Sequence, residues 1–202
     1  MRIPPKSRTG LRLALALAVL SPAAASAEWK PAERIETYAI KGDSGFALYE
    51  SIGENGPTVG IGRAVAYTTF DLKWSRKYVP KDGACTLTTA RPHLTIIYKL
   101  PKPSGKLPPA TRKAWDAFIS GIEAHERVHG EYILDMVKAI EATSVGLTVA
   151  DDPKCTKIRT ELTARLGALS QEQRRRGREF DKAEMAAGGN VHQLVLALVN
   201  QR

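Results

Sequence analysis

The spacing of hydrophobic residues changes about halfway along the chain, and the change predicts a sheet-forming half followed by a helical half. Between Glu36 and Leu100 the pattern is mostly period two, with strand-like stretches at Ile35–Lys41, Ala64–Trp74 and Leu87–Leu100. Turn signals separate them at Gly42-Asp43, Gly53 to Pro57 and Lys81-Asp82-Gly83. In the last strand Leu94, Ile96, Tyr98 and Leu100 alternate with His93, Thr95 and Lys99, which predicts one apolar and one polar face, with Ile97 the misfit. Phe46–Ile52 fits a short helix between the first two strands. Pro101 to Gly105 and Pro108-Pro109 then read as a stiff linker.

From Pro109 to Thr143 the apolar residues Trp115, Phe118, Ile122, Tyr132, Ile133, Met136 and Ile140 recur every three or four positions, the signature of one long amphipathic helix ending near Gly146. Asp152-Pro153, a cap residue before a proline, predicts the start of a second long helix. It runs through Ile158, Leu162, Leu166, Leu169 and Phe180 to Gly188-Gly189. Val191 to Val199 is apolar enough for a final short helix or strand. The expected fold is α+β, a small N-terminal antiparallel sheet followed by two long helices, with the last strand open to an extended peptide by strand addition.

A length of 202 residues with 43% hydrophobic content supplies one compact core and too little chain for two ordinary domains. That apolar fraction, with no glycine periodicity, excludes a disordered or collagen-like chain. The formal net charge of +9 by itself says little about partners, and aromatics are only 6%, too few for a base-stacking nucleic-acid surface.

Part of that charge belongs to a leader. Arg2, Lys6, Arg8 and Arg12 stand without any acid before the apolar run Leu13–Leu20, and Ala25-Ser26-Ala27 supplies the small-x-small pattern of a cleavage site. The run is far shorter than the roughly 20 residues of a spanning helix. Residues 1–27 are therefore expected to be a secretory signal peptide, cleaved after Ala27, leaving 28–202 as a single periplasmic or secreted domain of about +5 with no membrane span. In an oxidising compartment Cys85 and Cys155 are an even pair, and one disulfide between them is expected. It would close a loop of about 70 residues and restrict the unfolded chain by roughly 4 kcal/mol.

The chemistry is carried by His125-Glu126-Arg127-Val128-His129, an H-E-x-x-H on the first long helix. Residues four apart lie one turn up on the same face, so both imidazoles can reach one Zn²⁺ while Glu126 reaches a water on it. Zinc lowers the pKa of that water to about 7, and the glutamate takes its proton as the water attacks a carbonyl. The alternative is that both histidines are packed core residues of the same stripe. Arg127 and Glu131 read as exposed face.

A catalytic zinc needs a third protein ligand from elsewhere in the chain. Taking Leu162 as reference on the second long helix, Glu184 lies about 40° away and Asp181 about 100° away, so Glu184 is better aimed at the core and Asp181 at its edge. His192 in the tail is another candidate. Glu161 sits near the start of that helix, and Glu141 lies too far along the first to bend back to Glu126. His93 on the polar strand face could act as an electrophile, and Tyr132, on the face of His125, could hydrogen-bond an oxyanion.

With these residues the chain resembles the DUF922 family of predicted secreted zinc-dependent proteases. The resemblance rests on the leader, the strand Arg91–Pro101, Trp115 upstream of His125-Glu-x-x-His129, Cys85 and Cys155, and Phe180-Asp181. It implies a small zincin-like metallopeptidase of the periplasm, with His125 and His129 as ligands and Glu126 as general base. The family's closing Tyr-Asp-x-x-Thr-x-His-Gly segment falls on Phe180 to Ala187, where Phe180 and Asp181 match and Ala186 stands in place of the histidine. If that histidine is a ligand in the family, this chain uses Asp181, Glu184 or His192 in its place or has lost activity.

The expected function is zinc-dependent hydrolysis of a peptide or protein substrate in the cell envelope. The rival is a non-catalytic envelope protein that uses the same histidines for a structural metal, with Arg174 to Arg176 and Arg178 facing anionic polymers.

Overall fold

A computed structural model describes residues 29–200. The signal peptide expected at 1–27 and its cleavage site lie outside these residues. Ten elements follow one another as β1 (Ala32–Ile40), α1 (Gly45–Asn55), β2 (Thr58–Val59), β3 (Gly62–Arg63), β4 (Tyr67–Lys81), β5 (Ala84–Pro103), α2 (Pro109–Ser144), β6 (Thr148–Val149), α3 (Lys157–Met185) and α4 (Asn190–Val199). The fold is α+β, and no helix among the described residues is long and apolar enough to cross a membrane.

The main sheet has the order β1-β5-β4, with β6 beside the start of β5. Asp82 and Gly83, both with positive φ (50° and 78°), make the tight turn that folds β4 back on β5. The sheet is mixed, not antiparallel as expected, because β1 runs parallel to β5, with Ala32 opposite Thr95 and Ile40 opposite Pro103. This parallel pairing needs a long return path, and α1, the β2–β3 hairpin and β4 provide it.

The pairing also makes β5 the central strand. β4 covers one of its edges, and β1 covers the other from Thr95 onward. The last strand is therefore open to an added peptide only along residues 88–94, between β6 and β1, whereas β4 has a whole edge unpaired beside the cleft. Central position also explains Ile97, which is buried between Arg34 of β1 and Thr69 of β4 despite breaking the alternation. Pro101 and Pro103 belong to β5, so the linker before α2 is shorter than the prolines suggested.

The apolar face of β5 (Leu94, Ile96, Tyr98, Leu100) packs on α2 through Trp115, Phe118, Ile122, Ile133 and Val137, and α4 closes the core with Val191 and Leu198. A second cluster holds Cys85, Leu87, Ile158 and Leu162 beneath the start of α3. The Cys85–Cys155 disulfide lies in it, with the Cα atoms 5.3 Å apart, and ties β5 to the turn that leads into α3.

α2 runs within a residue of its expected limits, but α3 starts five residues after Asp152. Cys155 adopts φ 53°, which is not helical, and the helix forms only beyond it. Asp152 still serves that end, since its carboxylate accepts the amides of Thr156 (2.7 Å) and Ile158 (2.9 Å). The tail is helical.

Candidate metal centre

α2 carries His125 and His129 on its buried stripe, one turn apart, and their Nε2 atoms stand 3.2 Å from each other. α3 crosses this stripe. Gly177 faces His129, where a Cβ would lie 3.4 Å from Nδ1, in ordinary van der Waals contact, so α3 passes beside the histidines at this residue. One turn further, Phe180 stacks on His125 with centroids 4.7 Å apart and planes at 17°, and presents its edge to His129.

Asp181 completes the group. Its Oδ1 is 2.8 Å from His129 Nε2 and 3.2 Å from His125 Nε2. Three ligand atoms thus converge on one point, and His125, His129 and Asp181 form the cluster that could hold a metal ion. Burial acts to raise the Asp181 pKa, but the hydrogen bonds and charge of the two histidines outweigh it and hold the carboxyl well below the usual carboxylate range. For His125 burial acts downward, while Asp181, Glu126 and Glu184 outweigh it and raise the imidazole.

Glu184 is near but occupies a different position. Its Oε2 lies 3.7 Å from Nδ1 of His125, on the opposite side of the ring from Asp181. That Nδ1 is buried and has no hydrogen-bond partner among the described residues, and the Glu184 carboxylate is the charged group that faces it. Glu184 also accepts a hydrogen bond from Asn190 at 3.1 Å, joining the end of α3 to the start of α4. The helical phase holds for burial, since the Glu184 side chain is 21% exposed against 51% for Asp181, but it is the carboxylate at the edge that reaches the histidine Nε2 atoms.

Glu126 is 5% exposed and lies on the cleft side of α2. Thr68 of β4 donates to its Oε2 at 2.6 Å and approaches its backbone carbonyl oxygen at 3.0 Å. Burial raises the Glu126 pKa, opposed by this hydroxyl and by both histidines. The cleft above these groups has a volume of about 710 Å³, walled by the segment Ala64–Phe70 on one side and by α3 on the other.

The remaining candidates lie elsewhere. His192 accepts the amide of Gly188 at 3.2 Å, Glu161 pairs with Arg165, and Glu141 accepts Trp29 Nε1 at 2.6 Å. His93 contacts Ser75 at 2.8 Å on the exposed sheet face. Tyr132 stands edge-on to His129 and Phe180, its ring covered by the Arg176 guanidinium at 4.1 Å. Arg127, expected to be idle, pairs with Glu33 of β1 at 3.0 Å and lies over the Tyr98 ring, bracing the sheet against the back of α2.

Sequence reasoning missed Thr68 and Gly177. Nothing in the sequence marks Thr68, since its role depends on where β4 meets α2. Gly177 carried only the mark of a glycine inside a helix, which costs about 1 kcal/mol relative to alanine and which Gly167 of the same helix shares with open space around it.

No curated protein and no solved structure matches the chain. A family model does match, that of a bacterial protein of unknown function (DUF922), over residues 35–189, and the chain belongs to that family.

Proposed function

We propose that this chain is a secreted zinc-dependent metallopeptidase of the cell envelope, arranged as a minimal zincin. The observation that carries the reading is the convergence of His125 Nε2, His129 Nε2 and Asp181 Oδ1 beside the buried carboxylate of Glu126. The three ligand atoms are separated by 2.8 to 3.2 Å. Tetrahedral zinc with bonds of about 2.0–2.1 Å has ligand–ligand edges of about 3.3 Å, so a slight opening of the triangle accommodates it. Two imidazoles and one carboxylate are also a donor set that suits zinc, with a position left for water. The Cys85–Cys155 disulfide supports an oxidising compartment.

Zinc in such a set supplies Lewis acidity and a water acidified to a pKa of about 7. With the metal held by His125, His129 and Asp181, the Glu126 carboxylate, whose pKa burial raises, would serve as the general base toward water and as the proton donor to the leaving amine. Thr68 fixes the carboxylate, and Phe180 and Glu184 fix the His125 ring from its face and its far nitrogen. The free edge of β4 beside the cleft gives an extended peptide backbone a row of hydrogen-bonding partners.

The test is Glu126→Gln. The zinc-loaded wild-type chain should cleave a mixture of fluorescence-quenched peptides, and the variant should lose cleavage while retaining its zinc. Hydrolysis that survives the substitution, or a zinc-loaded wild type that cleaves nothing, would refute the reading.

A further inference from the structure

The basic run of α3 is two different surfaces. Arg175 is neutralised by Glu172 and Glu179 at 2.6 Å, and Arg176 pairs with Asp135 at 3.1 Å. Arg174 and Arg178 make no ion pair among the described residues, and both line the cleft that holds the metal centre. They are one turn apart, an i,i+4 pair of like charges that an isolated helix disfavours. Arg63 reaches the same cleft from the opposite wall, held by a 2.6 Å bond to the carbonyl oxygen of Gly56. The carboxylates inside are already engaged, Glu126 by Thr68 and Asp181 by the two histidines. The cleft therefore sets three guanidinium groups against two carboxylates that are already hydrogen-bonded, and leaves Arg174 and Arg178 without an acidic partner among the described residues.

We infer that the cleft selects peptides with an acidic side chain close to the scissile bond, received by Arg174 and Arg178. This rests on the reading of the site as a peptidase. Along α3, Arg178 lies about 4.5 Å and Arg174 about 10.5 Å from Asp181, at 1.5 Å per residue. An extended peptide advances about 3.3 Å per residue, so the carboxylate sits one to three residues from the bond that is cut. Arg175, one position away but turned outward into its own ion pairs, takes no part.

Binding tests this without requiring turnover. The zinc-loaded, full-length Glu126→Gln chain is titrated with two fluorescein-labelled pools of short random peptides, one containing Asp and Glu and one with Asn and Gln in their place. The acidic pool should bind roughly fivefold more tightly. The preference should vanish in the chain that also carries Arg174→Gln and Arg178→Gln, and persist with Arg175→Gln, all at equal zinc content. Equal or undetectable binding of the two pools, a preference that survives the double substitution, or association with phosphatidylglycerol vesicles in place of the acidic peptides would overturn the inference. Wild-type cleavage of the same pools separates the two claims. Hydrolysis without preference removes the inference and leaves the peptidase, whereas preferential binding without hydrolysis removes the peptidase and leaves the anion-selective cleft.

Discussion

Oδ1 of Asp181 lies 2.8 Å from Nε2 of His129, although the two residues are separated by 52 positions and stand on different helices. The contact requires α3 to cross α2 closely, and Gly177 faces His129 one turn earlier. Phe180 then covers the His125 ring, so a short stretch of α3 supplies both the stacked ring and the carboxylate of the candidate centre.

Glu184 acts on His125 from the side opposite the proposed metal. Glu184→Gln should leave the zinc stoichiometry unchanged and weaken zinc affinity by about 10-fold to 100-fold, the range for partners that orient a histidine ligand. Competition with a chelator of known affinity measures this. Loss of stoichiometric zinc would instead make Glu184 a ligand.

Thr68 is a positioning residue for Glu126. Thr68→Val keeps the shape and removes the hydroxyl, so kcat should fall by at least about tenfold with KM and zinc content unchanged. Thr68→Ser should restore it. A change in KM alone, or no rescue by serine, would assign Thr68 to packing.

Gly130, directly after His129, lets the Tyr98 ring pass over α2; a Cβ there would collide with the phenol oxygen and stand 3.1 Å from Cζ. Gly130→Ala should therefore cost about 1–3 kcal/mol of stability, seen as a lower denaturation midpoint. Tyr98→Phe in the same chain should recover part of it. Full stability of the single variant would contradict the packing described.

α2 was legible in the sequence because its apolar spacing is regular over the whole helix and a proline opens it, and the H-E-x-x-H and the disulfide followed from spacing and compartment. The parallel pairing of β1 was not, since strand direction there depends on contacts made more than 60 residues away. The start of α3 was misplaced because Asp152-Pro153 has the chemistry of a cap, while the left-handed backbone at Cys155 leaves no mark in the sequence. Helical phase measured from Leu162 placed Glu184 nearer the core than Asp181, which is how they lie, but phase alone does not say which carboxylate meets the imidazoles. That depends on where α3, which packs first toward β5 and β6 and then toward α2, crosses the histidines.

Asp152 ties acid stability to the entry of α3. Burial acts to raise its pKa, but the amides of Ile158 and Thr156 outweigh that and lower the carboxyl below its ordinary value. The native state then binds fewer protons than the unfolded chain around the unfolded value of about 3.9. The contribution is complete above that value and is lost as pH falls through the folded one. Denaturant titrations should show the wild type more stable than Asp152→Asn at neutral pH, with the gap closing as the pH falls below about 4. A gap that is constant down to strongly acidic pH would contradict the assignment.

The most direct measurement is the zinc content of the purified chain by elemental analysis, beside Asp181→Ala and His192→Ala. About one zinc per chain is expected in the wild type and in His192→Ala, and none in Asp181→Ala. A wild-type chain that holds no zinc after zinc is supplied, or an Asp181→Ala chain that holds as much as the wild type, would contradict the metal centre and the hydrolysis built on it.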